Sequence, residues 1–427
     1  MIEALKNKLR SDMGKDILLT FCVQLLIMLS SFAINKILSN RLSVDDFGQY
    51  NVVKRSASVL SFVMLAGTGI ALPRYIALYR GQKLHATILS LLHASVAYVL
   101  LVSLVLVLAC VVFSNHIQQL VIGPGGDSWL YYIAIGYAFS FTLASFIYAY
   151  YRGQGRFRHF NFCQLLVQLS IVVPLLVLPV VSSTRVFLSW LAITLFIVIV
   201  YFTYELFHTR FILFRRRHLA GIRQQFTIIV KYSSGRLVGD FFYFSLSAFP
   251  LVYLSQHTDL ASVAYYSVGL TFVNMATPVF TFMGIILLPY VSRSMAEGKS
   301  QQANRFIRKL TLIYLAAAAA ITIVFYVFIR LLIRLFFSSD YLVADELSRM
   351  LIFSILPQAI YLLYKNPIDA VSVVPFNTFI LGGAFVLMFI LFHYAHTLPQ
   401  YSWAFVVTSV FQALCAWVVW WHHLRLR

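Results

Sequence analysis

The sequence predicts an all-α polytopic membrane protein with about 12 transmembrane helices, arranged as two six-helix parallel repeats around a central cavity. Three observations predict this fold class. First, 61% of the 427 residues are hydrophobic and only 11% are charged, and the mean hydropathy of +0.83 exceeds that of soluble globular chains. Second, the apolar residues form long runs separated by short polar loops. Third, short motifs recur at an offset of about half the chain.

The charge balance is strongly basic, because 33 Lys and Arg residues stand against 14 Asp and Glu residues, which gives a formal net charge of +19. In a membrane protein such an excess is typical of cationic loops that face the cytoplasm and anionic lipid. It indicates membrane lipids as partners and gives no reason to predict nucleic acid binding. All four cysteines lie in apolar runs, so we interpret them as core residues and predict no disulfide and no metal site.

Twelve runs are long and apolar enough to cross hydrocarbon about 30 Å thick, which takes about 20 residues of helix. The tenth run is the least apolar, because it begins with the polar stretch "DELSRM". The predicted spans are Ile17–Leu38, Phe47–Ile76, Ile88–Phe113, Trp129–Tyr151, Phe160–Val181, Val186–Phe207, Gly235–Leu254, Val263–Val291, Leu310–Phe337, Leu347–Tyr364, Val371–His393 and Tyr401–Trp421.

The basic residues concentrate in alternate loops, and this pattern predicts the orientation of the chain. The N-terminal tail and the even-numbered loops are basic, whereas Asp127, Asp259 and Asp340 lie in intervening loops with few cations. Cytoplasmic loops of membrane proteins keep an excess of Lys and Arg, so we predict that both termini are cytoplasmic. Arg330 and Arg334 lie at a predicted outer end and count against this orientation.

The two halves of the sequence match when one is shifted by 216 residues (254 − 38). The matched dipeptides are Leu38-Ser39 with Leu254-Ser255, Leu72-Pro73 with Leu288-Pro289, and Phe160-Asn161 with Phe376-Asn377. An even number of spans in each repeat preserves its orientation, so we expect halves related by an axis along the membrane normal, with a substrate cavity between them. The predicted domains are an N-terminal six-helix lobe at 1–213, a basic cytoplasmic linker at 214–226 and a C-terminal six-helix lobe at 227–427.

Two adjacent cations, Lys54 and Arg55, interrupt the second predicted span in the stretch "QYNVVKRSASVLSFV". The preceding "SVDD" resembles a helix start, with Ser43 as the cap and Asp46 in the first turn. Lys54 would then lie roughly 16 Å from that end, near the bilayer centre. A cation at this depth costs roughly 2.5–3.5 kcal/mol on insertion scales, so the pair is expected to face a wet cavity or an opposite charge.

Helical spacing places a polar set around this pair on one broad face of the helix, and we predict that this face lines the cavity and binds substrate. Its residues are Tyr50, Asn51, Lys54, Arg55 and Ser58. The alternative is a structural role, in which the cations bind Asp45, Asp46 or backbone carbonyls of neighbouring helices. Charged residues inside a membrane are functional by default, which favours the first interpretation.

The seventh predicted span carries Arg236 and Asp240, whose spacing allows them to pair on one helix face. Arg236 is predicted either to bind substrate or to anchor the helix at the cytoplasmic interface. Asp240 lies well inside its span and is a candidate site for coupling to H⁺ or Na⁺. We favour the alternative, an ion pair with Arg236. No cofactor is predicted beyond such a coupling ion.

The stretch "YRGQGRFRHFN", between the fourth and fifth spans, is rich in glycine and arginine. Turn amides and arginine side chains suit phosphate, so one interpretation is a phosphate-binding loop. The stretch lacks the lysine and serine that end a P-loop, and we favour a tight, basic cytoplasmic turn.

The sequence contains no set of residues typical of catalysis. It has no H-E-x-x-H, no G-x-S-x-G and no acidic cluster in a long loop. We therefore predict that the protein is not an enzyme and has no catalytic residues. A membrane polysaccharide polymerase or glycosyltransferase ranks low, because such an enzyme needs a larger exposed loop or domain to shape a sugar site.

Taken together, the spans and several motifs resemble the Wzx-type O-antigen and polysaccharide flippases of the MOP superfamily. The resemblance rests on "LSVDDFGQYNVVKR" after the first span, "GTGIALPRYIALYRGQ" at the end of the second and "YYRGQGRFRHFN" after the fourth. The second half echoes it in "YYSVGL" and "GIILLPYVSR". The resemblance covers essentially the whole chain.

This resemblance implies a multi-pass protein of the bacterial inner membrane that serves O-antigen (lipopolysaccharide) or capsular and exopolysaccharide synthesis. Such flippases move undecaprenyl-pyrophosphate-linked oligosaccharide units to the outer leaflet, through a cationic cavity that alternates between faces. By position, Lys54 and Arg55 match the family's basic second-span residues, and Arg236 matches its seventh-span cation. The implied partners are the anionic lipid-linked oligosaccharide, inner-membrane lipids, and the polysaccharide polymerase and chain-length machinery.

The main alternative is a MATE-like multidrug cation exporter of the same superfamily. Such an exporter is expected to place carboxylates in its cavity, and the predicted spans offer almost none there. Lysine and arginine instead pair well with phosphate oxygens, and arginine can bind them through two donors. The residue chemistry therefore favours an anionic substrate.

Overall fold

The computed structural model consists only of helices and their connections in the part of the chain that it describes. That part comprises residues 12–122, 127–177, 182–208, 219–296, 300–372 and 374–424. Within it, the side chains of residues 12–18, 206–208, 219–220, 235–236, 282–286, 288–290, 292–296, 300, 370 and 422–424 are not described. The all-α prediction is confirmed.

The helices follow one another with short connections. Those of the first half are α1 (Asp12–Arg41), α2 (Val44–Leu65), α3 (Thr68–Gly81), α4 (His85–Val112), α5 (Ser114–Ile122), α6 (Ser128–Gly153), α7 (Phe157–Val177) and α8 (Ser183–His208). Those of the second half are α9 (Leu219–His257), α10 (Leu260–Ala296), α11 (Ser300–Phe336), a 3₁₀ turn (Ser339–Ala344), α12 (Asp345–Ile352), α13 (Ile355–Val371), α14 (Phe376–Tyr394), α15 (Leu398–Val418) and a π turn (Val419–Leu424).

Among the described residues, ten helical segments are long and apolar enough to cross a membrane, or eleven if one bent pair counts as a single span. The bent pair joins Ser339–Ile352 to Ile355–Asp369 at an angle of 44° and coincides with the predicted tenth span. All the other predicted spans coincide with a segment except the eighth. That prediction falls within α10, some of whose side chains lie outside the described set.

The second predicted span consists of two helices, although it crosses as the single segment Val44–Gly81. α2 and α3 are separated by Ala66 and Gly67, which adopt left-handed backbone conformations with φ of 52° and 70°. A Cβ atom on Gly67 would lie 3.0 Å from the carbonyl oxygen of Ser233 on α9. Glycine at position 67 therefore allows both the left-handed backbone conformation and the close approach of α9.

The chain divides into two compact units, which correspond only partly to its two sequence halves. The first unit is Met1–Ser43 with Val53–Leu237, and the second is Val44–Val52 with Val238–Arg427. α9 passes from one unit to the other after Leu237, beyond the predicted linker at 214–226. The described part of that linker, from Leu219, is the first part of α9. The domain boundaries at 213 and 227 stay predictions.

In the first unit, α3 packs against the first half of α9 through a mixed polar and aromatic seam. Arg74 Nη1 donates to the hydroxyl of Tyr232 at 2.8 Å, and its guanidinium lies 4.8 Å from the centroid of the same ring. One turn further along α3, the hydroxyl of Tyr79 donates to Gln225 Oε1 at 3.0 Å. Ile229, between these contacts, is fully buried in the core cluster of this unit. The seam explains why this part of α9 belongs to the first unit.

The first turns of α2 pack within the second unit. The ring of Phe47 lies 5.2 Å from that of Tyr341 and 6.2 Å from that of Phe337, measured between centroids. A Cβ atom on Gly48 would collide with the carbonyl oxygen of Leu260, so glycine lets α2 lie directly against the start of α10. Residues 44–52 therefore belong to the second unit even though they precede the first unit's larger segment.

α10 begins with a carboxylate cap. Asp259 Oδ1 accepts a hydrogen bond from the backbone N–H of Ser262 at 3.0 Å. Hydrogen bonds from Ser262 hold the pKa of the Asp259 carboxyl below its usual value. The bond from the Ser262 side chain has the larger effect, and the bond from its backbone N–H the smaller one. A carboxylate that caps the positive end of a helix fixes where the helix begins.

Candidate functional site

Lys54 and Arg55 lie on α2, and both side chains are half-buried. Because α2 begins at Val44, directly after Ser43, Lys54 is about 15 Å along the helix axis, close to the predicted depth. Each of the two side chains takes part in interactions, and their charges are close enough to repel each other. Repulsion between like charges grows as the surroundings become less polar, so an anion bound beside the pair would stabilise it.

The other three residues of the predicted face bind or pack within the protein. Tyr50 is fully buried, and its ring centroid lies 5.8 Å from that of Phe47. Asn51 is buried too, and its Nδ2 donates to the carbonyl oxygen of Phe47 at 2.8 Å. Ser58 is half-buried, and its hydroxyl donates to the carbonyl oxygen of Lys54 at 2.8 Å. The substrate-binding roles of all three stay predictions, and burial gives Tyr50 and Asn51 a packing role in this conformation.

The side chain of Arg236 lies outside the described residues. Its role as a ligand or an anchor, and its ion pair with Asp240, therefore stay predictions. Asp240 lies on the part of α9 that belongs to the second unit, and its side chain is half-buried. The hydroxyl of Tyr361 on α13 is close enough to Asp240 to interact with it electrostatically.

Asp240 is one member of a polar cluster inside the second unit, formed by α9, α13 and α14. Asn377 Nδ2 donates to Asp369 Oδ1 at 2.8 Å and to the carbonyl oxygen of Lys365 at 2.9 Å. The ammonium of Lys365 lies 4.3 Å from the ring centroid of Tyr243. Asp369 also interacts electrostatically with the Tyr361 hydroxyl. The cluster thus joins two carboxylates, an ammonium and two phenol groups from three helices.

Two polar atoms of this cluster retain hydrogen-bonding capacity. The hydroxyl of Tyr361 and Oδ1 of Asn377 are buried and have no hydrogen-bond partner within the described residues. Buried polar atoms in native proteins are normally satisfied by protein groups, water or ions. The cluster can therefore hold a water molecule or a small cation. A set of three or more His, Cys, Asp and Glu side chains that could hold a metal ion is not found in the described ranges.

The "YRGQGRFRHFN" stretch forms a tight turn between α6 and α7, with Gly155 at a φ of 65°. Its arginines contact the protein. Arg152 Nη2 donates to the carbonyl oxygen of Gly69 at 2.8 Å, and Arg156 Nη1 lies 3.5 Å from Glu205 Oε1. These contacts favour the interpretation as a tight basic turn over that as a phosphate-binding loop.

No sequence pattern connects Asp240 with the other members of its cluster, which are Tyr361, Lys365, Asp369 and Asn377. A signal for two of them was present, because Lys365 and Asp369 are charged residues at the end of an apolar run. Asn377 belongs to the repeated Phe-Asn dipeptide, but the repeat does not indicate which residue Asn377 contacts. The missing information was which helices pack together, since α9 and α13 are more than a hundred residues apart.

Comparisons with known proteins agree with this architecture. Residues 237–394 match the MatE family, a match that lies almost wholly in the second unit and covers less than half of the chain. The sequence matches no curated protein.

Solved structures of MATE transporters share the fold over nearly the whole chain. An inward-facing multidrug resistance MATE family transporter of the MOP superfamily is 14% identical, with a TM-score of 0.70, over 96% of this chain and 98% of that one. A mutant of the Vibrio cholerae MATE transporter VcmN is 15% identical, with a TM-score of 0.67, over 97% of both chains. A MOP superfamily transporter from Pyrococcus furiosus, described by a reverse polarity of its binding pocket that suggests a different function, is 16% identical, with a TM-score of 0.57, over 96% of this chain and 94% of that one.

These similarities establish that the chain has the MATE-type fold of the MOP superfamily. The predicted MATE-like fold is confirmed, and the protein is a membrane protein with the fold of transporters. At such identities the comparisons identify the fold alone, so the choice among substrates within the superfamily rests on the chemistry of this chain's own residues.

Proposed function

We propose that this protein is a flippase that moves undecaprenyl-pyrophosphate-linked oligosaccharide units from the cytoplasmic to the outer leaflet of the bacterial inner membrane by alternating access. The observation that carries the proposal is the Lys54–Arg55 pair, two like charges held half-buried deep in a membrane span. Their mutual repulsion is relieved by a multiply charged anion, and pyrophosphate offers several oxygens to an ammonium and a guanidinium.

The main rival function within the same fold is the export of multidrug cations. Adjacent cations in the transport pathway would repel such a substrate, because the interaction between like charges is unfavourable at any distance and strongest where water is excluded. The Pyrococcus furiosus transporter, described as having a binding pocket of reverse polarity, provides a precedent for this fold with a pocket of different polarity. This precedent supports an anionic substrate here.

Asp240 is proposed as the group through which an H⁺ or Na⁺ gradient drives transport. Its support is the cluster with Tyr361 and Asp369, in which buried polar atoms retain hydrogen-bonding capacity. Two carboxylates near one phenol hydroxyl offer a small cation the oxygen ligands that it prefers. In this mechanism Lys54 and Arg55 recognise the substrate, and Asp240 couples its movement to the ion.

The test measures binding of undecaprenyl pyrophosphate to the purified full chain. Lys54→Ala and Arg55→Ala should each weaken binding about tenfold or more, because a hydrogen bond to a charged group contributes about 1.5–3 kcal/mol. Arg55→Lys should bind more tightly than Arg55→Gln, since the charge is kept although the two-donor geometry is lost. Arg158→Ala is the matched control: it removes an exposed cation from the turn between α6 and α7 and should bind like the unmodified chain.

Export in cells and folded protein are measured for the same variants. Normal export by the Lys54→Ala, Arg55→Ala double variant at normal abundance would rule out the proposal. A structural role predicts instead that folded protein falls and that Asp45→Asn or Asp46→Asn restores it, because a stranded buried charge costs about 3–5 kcal/mol. In reconstituted vesicles, Asp240→Asn should abolish the response of transport to an ion gradient while leaving substrate binding unchanged.

A further inference from the structure

Helices α4 and α6 in the first unit leave an open seam between them. Each packs against α3, but the two do not pack closely against one another along their described length. At one end the seam is closed, where the hydroxyl of Tyr131 on α6 donates to the carbonyl oxygen of Cys110 on α4 at 2.8 Å. The rest of the seam is occupied by two cavities.

The two cavities lie end to end along the same helix faces. The larger, of about 580 Å³, is lined by apolar side chains that include Leu104 on α4 and Phe139 on α6. The smaller, of about 60 Å³, lies nearer the start of α4 and is lined by Val96, Phe146 and Phe202, among others. The lining positions on both helices repeat at intervals of three to four residues, which places them on one face of each helix.

The smaller cavity is apolar except at its end, where it reaches an ionic group. Glu205 on α8 lines it and accepts hydrogen bonds from the hydroxyls of Tyr151 at 2.8 Å and Tyr150 at 3.3 Å. Arg156 Nη1 lies 3.5 Å from the same carboxylate, and its side chain is 39% exposed against 13% for Glu205. A carboxylate and a partly exposed guanidinium thus stand side by side at the end of an apolar groove.

We propose that this groove binds one zwitterionic aminophospholipid, of the phosphatidylethanolamine type. Its ammonium lies against Glu205, its phosphate against Arg156, and one acyl chain runs along the α4–α6 seam. The match is in the sign of the charges, because the headgroup carries one cation for Glu205 and one anion for Arg156. An anionic phospholipid has a phosphate for Arg156 but no cation for Glu205, so it satisfies only half of the site.

The length of the seam fits one chain. From Leu92 to Leu104 the lining of α4 extends about 18 Å, and half of the hydrocarbon thickness is about 15 Å. A chain anchored at the level of Glu205 therefore ends in the larger cavity, where a volume of about 580 Å³ receives it. The larger cavity continues from Leu104 to the contact between Tyr131 and Cys110, since Val111 and Tyr132 also line it.

This site is separate from the proposed function, because none of its residues belongs to the Lys54–Arg55 or the Asp240 set. It is tested with the purified, delipidated full chain offered equimolar phosphatidylethanolamine and phosphatidylglycerol, and retained lipid is counted by native mass spectrometry. The unmodified chain should retain one phosphatidylethanolamine, preferred over phosphatidylglycerol about tenfold. Glu205→Gln removes the partner of the ammonium while keeping an acceptor for the tyrosine hydroxyls, and it should lose that preference.

A second variant keeps the test decisive if Glu205→Gln fails to fold. Val96→Trp fills the smaller cavity from a half-buried position and should lower phosphatidylethanolamine retention about tenfold. Val173→Trp is the matched control, since Val173 is 50% exposed on α7, outside the seam, and should retain lipid like the unmodified chain. Equal retention of the two lipids by the unmodified chain, or equal retention by Val96→Trp and Val173→Trp, would overturn the proposal.

Discussion

At the scale of single residues, Gly48 shows how closely two helices approach. A Cβ atom on Gly48 would collide with the carbonyl oxygen of Leu260, and a backbone carbonyl cannot rotate away as a side chain can. Gly48→Ala should therefore force α2 from α10 and lower the free energy of unfolding by about 1–3 kcal/mol, the usual cost of overpacking. The measurement is the thermal midpoint and the yield of folded protein in detergent.

Gly81 provides the matched control for this substitution. It is the last residue of α3, and no heavy atom lies within 4 Å of the Cβ position. Gly81→Ala should be neutral or should stabilise the protein by up to about 1 kcal/mol, because alanine restricts the unfolded chain more than glycine does. Equal midpoints for the two variants would show that the approach of α2 to α10 is not tight.

Sequence periodicity predicts which side chains of α2 share one face of the helix, but it does not predict which of them are buried by other helices. The spacing placed Tyr50, Lys54 and Ser58 on one face, as the helix confirms. Helical spacing predicts contacts between side chains of the same helix only. Which of these side chains are buried depends on helices that are far away in the sequence. Tyr50 is fully buried, and Phe47, one turn before it, packs against Phe337 and Tyr341, about 290 positions away in the chain. Such packing has no local signal in the sequence.

At the scale of elements, α3 illustrates how a proline inside a helix is accommodated. Pro73 has no N–H, so the carbonyl oxygen of Gly69, four residues earlier, receives no hydrogen bond from it. Arg152 Nη2 supplies this hydrogen bond from α6 at 2.8 Å. The "LPR" of the second span and the "YYRGQG" turn are thus two halves of one structural contact.

This contact predicts a coupling between the two positions. Arg152→Ala should lower the free energy of unfolding by about 0.5–1.5 kcal/mol, because it removes the hydrogen bond to the partly exposed Gly69 carbonyl. Pro73→Ala supplies a backbone N–H in its place, so Arg152→Ala should cost less in that background. The guanidinium also lies 5.7 Å from the ring centroid of Phe160, and this contribution cancels in the double-mutant cycle. Strictly additive costs would show that the hydrogen bond contributes nothing.

The length of the apolar runs predicts where most spans begin and end, but it does not predict where a span is broken into two helices. Most spans were predicted within a few residues, because a run of about 20 apolar residues has one stable form in lipid, a helix. The break between α2 and α3 lies in "LAGTGIAL", where small residues fit a continuous helix as well as a turn. The left-handed conformation of Gly67 occurs where this residue approaches Ser233 of α9, a contact that the local sequence does not reveal.

At the scale of the whole molecule, the 216-residue repeat predicted two halves, and the structure has two compact units with a different division. The repeat describes similarity between two parts of the sequence, whereas the units describe which segments pack together. α2 begins in the second unit and continues in the first, and α9 begins in the first and continues in the second. Each unit therefore takes a segment from the other half of the chain, which self-comparison of the sequence cannot reveal.

The number of crossings depends on the bent pair Ser339–Ile352 and Ile355–Asp369. A re-entrant loop must reverse its direction, whereas a bend of 44° leaves the second helix running onward across the membrane. We therefore expect this pair to be one span with its ends on opposite sides. Together with the predicted crossing in α10, it gives an even number of spans and places the C-terminus on the same side as the N-terminus.

Cysteine labelling tests this topology in a variant whose four native cysteines are replaced. Asp340→Cys should react with a membrane-impermeant maleimide in intact cells, because basic loops place the preceding end of α11 outside. Ser372→Cys, at the far end of the bent pair, should react only after permeabilisation. Labelling of both from the outside would mean that the pair re-enters, that the number of crossings is odd, and that the C-terminus is extracellular. Since α14 and α15 then cross in opposite directions, a tag after the last helix gives an independent measurement of the same prediction.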